Sequence, residues 1–312
     1  MQNGLRRTTR RDFLKGAAAV VGSALACTLA APGQAVASSL VDGADSFGML
    51  TDLTRCVGCR RCEAACNRSN SLPAPATSFE DDSVFKEKRR PDARAFTVVN
   101  RYEIASLSKP VFRKVQCNHC VEPACVSACL VGAMKKTPEG PVVYNPNVCI
   151  GCRYCLIACP FYVPAYDYSS ALEPKVQKCN MCYGRISQGL IPACAEACPV
   201  EAIAFGKRKQ LIEVARDRIR KQPDSYVDHI FGEHEVGGTA WLYLAPAPFE
   251  QFDFPTNLGT TAYPELTREF LSFVPLVLVA WPSLLGGFYL FSNRREQLAR
   301  TETDDAMKGE SR

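Results

Sequence analysis

The residues of this chain best suited to chemistry are thiols, grouped at short and repeated spacings. Cys149, Cys152, Cys155 and Cys159 fall within eleven residues, followed at once by Pro160, and comparable groups occur at three other places. These are Cys56, Cys59, Cys62 and Cys66, then Cys117, Cys120, Cys125 and Cys129, and last Cys179, Cys182, Cys194 and Cys198. Of 17 cysteines in 312 residues only Cys27 stands outside the groups, a density well above that of an ordinary globular chain. Thiols so placed can pair as disulfides, hold zinc as thiolates, or ligate iron and inorganic sulfide.

Spacing separates these chemistries. Three thiols with two residues between each, as in Cys149, Cys152 and Cys155, converge on one centre, whereas disulfide scaffolds spread their partners over distant loops. Zinc sites usually draw two ligands from each of two places. Groups one and three instead read C-x2-C-x2-C-x3-C, the run of bacterial two-cluster ferredoxins, in which three cysteines hold one cubane and the fourth reaches across to another. Iron-sulfur ligation is the expectation, with zinc and disulfides as alternatives. Pro160 and Pro199 follow the fourth cysteine of groups three and four and should end the short helices there. Asn67 and Leu130 occupy that place in groups one and two. The wider gaps, four residues between Cys120 and Cys125 and eleven between Cys182 and Cys194, are expected as surface loops.

The segments between the groups must position them. Nineteen residues separate Cys129 from Cys149, room for two short strands and a turn, so groups two and three predict one contiguous ferredoxin-like module over 117–160. Fifty separate Cys66 from Cys117, so groups one and four predict a second module, over 47–116 and 160–245, with the first nested inside it. The crossing rule then gives four 4Fe-4S clusters. Their ligands would be Cys56, Cys59, Cys62 with Cys198; Cys66 with Cys179, Cys182, Cys194; Cys117, Cys120, Cys125 with Cys159; and Cys129 with Cys149, Cys152, Cys155. Sequential pairing, group one with two and three with four, is the alternative.

Both ends of the chain carry export and membrane signals. Residues 1–37 have a basic start, an apolar run from Gly16 to Ala31 and a small-residue cleavage site at Ala35-Val36-Ala37. Thr9-Arg10-Arg11-Asp12-Phe13-Leu14-Lys15 resembles a twin-arginine signal, which implies export of a protein already folded around its cofactor. Cleavage after Ala37 would also remove Cys27. Phe270 to Phe291 is a run of 22 residues without a charge; at 1.5 Å per residue it reaches about 33 Å, enough to span a hydrocarbon core of about 30 Å. A buried core helix is the alternative. Arg294 and Arg295 follow the run while Glu265 and Glu269 precede it, so the positive-inside rule puts the tail, 292–312, in the cytoplasm and the cysteine-rich body on the other side. Residues 246–269 are expected as a linker. The expected fold is thus α+β, two ferredoxin-like modules with one nested in the other, plus a single C-terminal transmembrane helix.

Over roughly residues 47–245 the sixteen grouped cysteines resemble the four-cluster ferredoxin-like subunits of molybdopterin oxidoreductase and membrane hydrogenase complexes. In that family the outer groups pair and the inner groups pair, which implies the nested arrangement. The twin-arginine signal, the single C-terminal span and the stretch from Tyr226 to Glu250 look most like the iron-sulfur subunit of a periplasmic uptake nickel-iron hydrogenase. The resemblance implies an electron-transfer subunit that works beside hydrogenase small and large subunits and passes electrons to an integral membrane quinone-reactive subunit. Formate dehydrogenase and sulfur-compound reductase subunits share much of the pattern and are the alternative.

The remaining residues offer no catalytic centre. The histidines are His119, His229 and His234, without an acid-base partner pattern around them. His119, inside Cys117-Asn118-His119-Cys120, is read as a packing residue or a hydrogen-bond donor to cluster sulfur. Arg60, Arg61, Arg153 and Lys178 beside the groups either face solvent or raise the potential of a cluster. The net charge of +5 falls to +1 once the +4 of residues 1–37 is removed, which gives no reason to expect nucleic acid as a partner. Glu213 to Gln222 is expected as a solvated amphipathic helix, and Asn67 to Arg94 as a long loop packed on a partner.

Overall fold

The computed structural model describes residues 46–169 and 175–310. The signal sequence expected over 1–37, and Cys27 with it, lie outside the described residues. The first elements in chain order are β1 (Phe47–Asp52) and α1 (Arg61–Ser69), followed by the hairpin β2 (Val98–Tyr102) and β3 (Val111–Val115). With asparagine instead of proline at 67, α1 continues past Cys66 to Ser69, and the side chain of Asn70 caps it by donating to the Cys66 carbonyl at 2.9 Å. The inner part holds α2 (Ala124–Ser127), β4 (Met134–Lys136), β5 (Val142–Tyr144), α3 (Tyr154–Ile157), β6 (Ala165–Asp167) and β7 (Lys175–Gln177). β4 and β5 form the antiparallel pair and turn expected between Cys129 and Cys149. After them come α4 (Tyr183–Ile186), α5 (Ala193–Glu196), β8 (Ile203–Lys207), α6 (Arg208–Lys221), β9 (Trp241–Leu244) and α7 (Tyr263–Glu310).

β1 is the centre of a three-stranded sheet, antiparallel to β8 and parallel to β9, with Thr51 opposite both Ile203 and Tyr243. The sheet therefore joins residues that precede group one to residues that follow group four. Its β1 and β9 residues are buried almost throughout, as expected of strands covered on both faces. One face meets Leu211, Ala215 and Ile219 of α6, positions four apart that share a helix stripe. The other merges into the main core, where Trp241, Tyr243, Phe231 and Phe252 pack with the sulfurs of Cys66, Cys117, Cys159, Cys179 and Cys194.

The mixed α+β architecture with one long apolar C-terminal helix agrees with the sequence reading, but several details differ. Residues 246–254 do not behave as linker: Phe249, Phe252 and Phe254 are buried, and Phe231 lies with its ring centroid 4.5 Å from that of Phe254. Burial of three phenylalanines outweighs the freedom of a linker. The gap between Cys182 and Cys194 is no simple loop, since it contains all of α4 and the first residue of α5. α6 starts five residues before the stretch expected as a helix and is half covered by the sheet. In the segment after Asn67, Arg89 reaches Glu63 at 2.6 Å and the Val99 carbonyl at 2.9 Å, while most of the segment is exposed. Cys159 and Cys198 lie just beyond α3 and α5, so their prolines follow turns that are already complete. α7 extends well past the 22-residue apolar run, keeps Pro275 and Pro282 within it, and its 39 residues Tyr263–Thr301 are long and apolar enough to cross a membrane, with nothing of the apolar window buried against the protein.

Candidate metal centres

Each cysteine group is built on a turn that enters the left-handed region. Gly58 (φ 73°) and Arg60 (φ 56°) do so in group one, His119 (φ 48°) in group two, Gly151 (φ 69°) and Arg153 (φ 60°) in group three, Met181 (φ 54°) and Cys182 (φ 51°) in group four. Such turns swing main-chain N–H groups inward, as anion-binding nests do. Met181 N–H donates to Cys179 Sγ at 3.3 Å and Gly151 N–H to Cys149 Sγ at 3.4 Å. The fourth cysteines of groups two and four receive the N–H four residues on, Ala133 to Cys129 at 3.1 Å and Ala202 to Cys198 at 3.2 Å. At Gly58 a Cβ would overlap the Phe112 ring, so both conformation and space demand glycine.

The folded chain gathers these thiols from distant parts of the sequence. Cys56, Cys59, Cys62 and Cys198 line one cavity, together with Lys114. Cys117, Cys120, Cys125 and Cys159 line a second, together with His119 and Val142. Cys66 has Cys179, Cys194 and Cys182 as its electrostatic neighbours, and Cys155 has Cys129, Cys149 and Cys152. The four sets also adjoin one another in a row: Cys155 acts on Cys125, Cys117 on Cys179, and Cys194 on Cys62. Among the described cysteines only Cys59 and Cys152, in the two end sets, are exposed.

All sixteen described cysteines are free thiols. Among the described residues no three His, Cys, Asp or Glu side chains come close enough together to hold a single metal ion. A cubane is a wider object, because iron and sulfide lie between the thiolates, and sulfur-rich cavities with inward N–H donors suit it. Burial pushes Cys56 and Cys155 up to about 11 and Cys125 and Cys179 up to about 12. Without metal these groups keep their protons at neutral pH; ligation removes them.

Positive groups near the sets divide into three kinds. Arg61 and Arg153 are exposed, and Arg153 lies over the Tyr166 ring. Arg60 is buried, but its guanidinium is occupied by Glu63 at 3.3 Å and by the carbonyls of Ser78 and Asp81, both at 2.9 Å. Lys178 is buried with its ammonium on the carbonyls of Val142 at 2.5 Å and Cys179 at 3.0 Å. Lys114, which the sequence reading did not single out, is more deeply enclosed than any of these. Only the alternation of a strand could have marked it, and in Val111–Val115 that alternation is imperfect.

His119 is fully buried. Its Nδ1 accepts from the Val142 N–H at 2.9 Å, so the ring proton sits on Nε2, which is buried without a partner. Burial, and then Lys178, Lys136 and Lys114, hold its pKa well below the ordinary value, so the ring is neutral. An orphan donor at the wall of a cavity lined by Cys117, Cys120, Cys125 and Cys159 fits sulfur as its acceptor. His229 pairs with Glu235 at 2.7 Å, and His234 is exposed.

Comparison with known proteins agrees with this donor set. Residues 109–208 match the family described as the 4Fe-4S dicluster domain. A protein of Nitratidesulfovibrio vulgaris strain Hildenborough is 50% identical over 303 residues, 96% of this chain and 81% of its own length. The hydrogenase-2 operon protein HybA of Escherichia coli O157:H7 is 34% identical over 314 residues, 88% of this chain and 94% of its own length. The iron-sulfur subunit of the nitrate-inducible formate dehydrogenase of Escherichia coli K12 is 32% identical over 200 residues, 62% of this chain and 66% of its own.

Proposed function

The chain belongs to the family of 4Fe-4S dicluster proteins that includes HybA, and from that premise we propose that it is the electron-relay subunit of a membrane-bound respiratory complex. The single observation that carries this reading is the row of four adjoining cysteine sets ending in exposed Cys59 and Cys152. A row has use only if electrons enter at one end and leave at the other.

Each set would hold one 4Fe-4S cluster, with the sixteen ligands assigned by the crossing rule. When bound, such clusters take up and give back single electrons. The protein supplies the rest. Buried sulfurs packed among Trp241, Tyr243 and Phe252 keep water away, and main-chain N–H groups at Met181, Gly151, Ala133 and Ala202 stabilise negative charge on sulfur. In this reading the sets fall into two modules, groups one and four joined by the three-stranded sheet and groups two and three inserted between them in the chain.

The donor in this reading is a hydrogenase small and large subunit pair, because the relative that this chain spans by 94% is a hydrogenase-2 operon protein. The acceptor is an integral membrane quinone-reactive subunit, and α7 holds the relay at the bilayer with the body on the periplasmic side after twin-arginine export. Similarity to a formate dehydrogenase subunit favours a second reading in which formate oxidation supplies the electrons.

Anaerobic purification from detergent-solubilised membranes tests both. About sixteen irons with matching sulfide per chain supports the relay, and bound zinc without sulfide overturns it. The copurifying catalytic subunit, identified by mass spectrometry, decides between hydrogenase and formate dehydrogenase.

A further inference from the structure

Lys114 lies on β3 with 2% of its surface exposed. Its ammonium donates to Thr97 Oγ1 at 2.7 Å and to Gln116 Oε1 at 3.0 Å, and lies 4.5 Å from the centre of the Trp241 ring. Gln116 is held in turn through its amide, which donates to the Tyr243 hydroxyl. Every one of these partners is neutral. A buried ammonium among neutral groups is unfavourable unless an anion stands close by. The sulfurs of Cys194, Cys62, Cys179 and Cys66 are its electrostatic neighbours, and they become anions once they ligate iron. Those sulfurs belong to two different sets. Cys62 shares the cavity of Cys56, Cys59 and Cys198, whose wall includes Lys114 itself; Cys66, Cys179 and Cys194 belong to the next set in the row.

We propose that Lys114 is a fixed countercharge shared by these two neighbouring clusters, raising the reduction potential of both above that of the same cages without it. The proposal rests on the electron-relay reading. Each transfer between them moves one electron: one cluster is oxidised by one unit as the other is reduced by one, and no bond forms or breaks. The added negative charge stays within reach of the same ammonium whichever cluster holds it, so one cation stabilises the reduced state of both. Arg60 cannot take this role because Glu63 already balances it, whereas Thr97, Gln116 and Trp241 orient Lys114 without neutralising it.

The test is a potentiometric titration, followed by electron paramagnetic resonance, of the anaerobically purified complex carrying Lys114→Met, Lys114→Gln or Lys114→Arg. Both neutral variants should move two of the four midpoint potentials in the negative direction and leave the other two in place. The two that move should be those whose spectra Cys62→Ser and Cys66→Ser alter, and Lys114→Arg should restore them. If the neutral variants fail to load iron at those two centres while Lys114→Arg loads it, the charge is needed there and the proposal also stands. Fully loaded neutral variants with all four potentials unmoved, or equally moved, overturn it; so does loss of iron in all three variants alike, which would assign Lys114 to packing. Wild-type complex lacking iron and sulfide would instead refute the relay itself.

Discussion

The side-chain amide of Asn180 donates to Oδ1 of Asn70 over 2.9 Å, although 110 positions separate the two residues. Asn70 also donates to the Cys66 carbonyl at 2.9 Å, and Asn180 accepts from the Cys182 N–H at 2.8 Å. The pair therefore clamps the end of group one to the start of group four. Asn180→Leu leaves the Cys182 N–H and Asn70 Oδ1 without their partners. The expected loss is about 1–3 kcal/mol in unfolding free energy, measured by urea titration of the loaded protein.

Cys62 and Cys66 sit one turn apart on α1 but in different sets. Cys66→Ser should perturb the same centre as Cys179→Ser, while Cys62→Ser should perturb the one damaged by Cys198→Ser. Iron content and electron paramagnetic resonance of the four variants check the grouping. Sequential pairing would instead couple Cys66 to group two.

Glu63, 5% exposed, accepts from Arg89 at 2.6 and 3.1 Å, from Arg60 at 3.3 Å and from the Val99 N–H at 2.6 Å. It ties α1 to β2 and to the segment around Arg89. Glu63→Gln leaves two guanidinium groups without their counterion, one of them fully enclosed, and should destabilise by about 3–5 kcal/mol. A lowered denaturation midpoint with unchanged slope is the expected readout.

Metal-free and loaded protein should respond oppositely to pH. In the metal-free fold burial raises Cys56 from 9.0 to about 11 and Cys179 from 9.0 to about 12. The native state thus holds protons that the unfolded chain releases, so stability is unaffected below about pH 9 and falls as pH rises from there towards 12. Once iron is bound the thiols are already ionised, and acid competes for the sulfurs instead. Thermal melts of metal-free protein across pH 8–11, and iron retention of loaded protein on acidification, measure the two signs.

α7 buries none of its apolar window against the body. A chain ending at Ala262 should keep its clusters and its melting temperature but no longer float with liposomes, whereas the full chain floats. Retained flotation of the shortened chain would place the membrane contact elsewhere.

Much of this protein is legible in its sequence because cysteine spacing is a local constraint. Cys149-x-x-Cys152-x-x-Cys155 must converge on something, the nineteen residues before Cys149 do hold a strand pair, and the uncharged run from Phe270 lies in a long helix. Longer-range relations leave no local mark. That Phe249, Phe252 and Phe254 belong to the core depends on contacts such as that of Arg113 with the Phe252 carbonyl, 139 positions apart, and that Lys114 faces sulfurs of both Cys62 and Cys66 depends on segments about 50 positions apart. Ligand type and spacing are written residue by residue; which sets adjoin, in what order, and which buried charge lies between them are set by packing, because a cation's partners in a core are chosen by the fold and not by its neighbours in the chain.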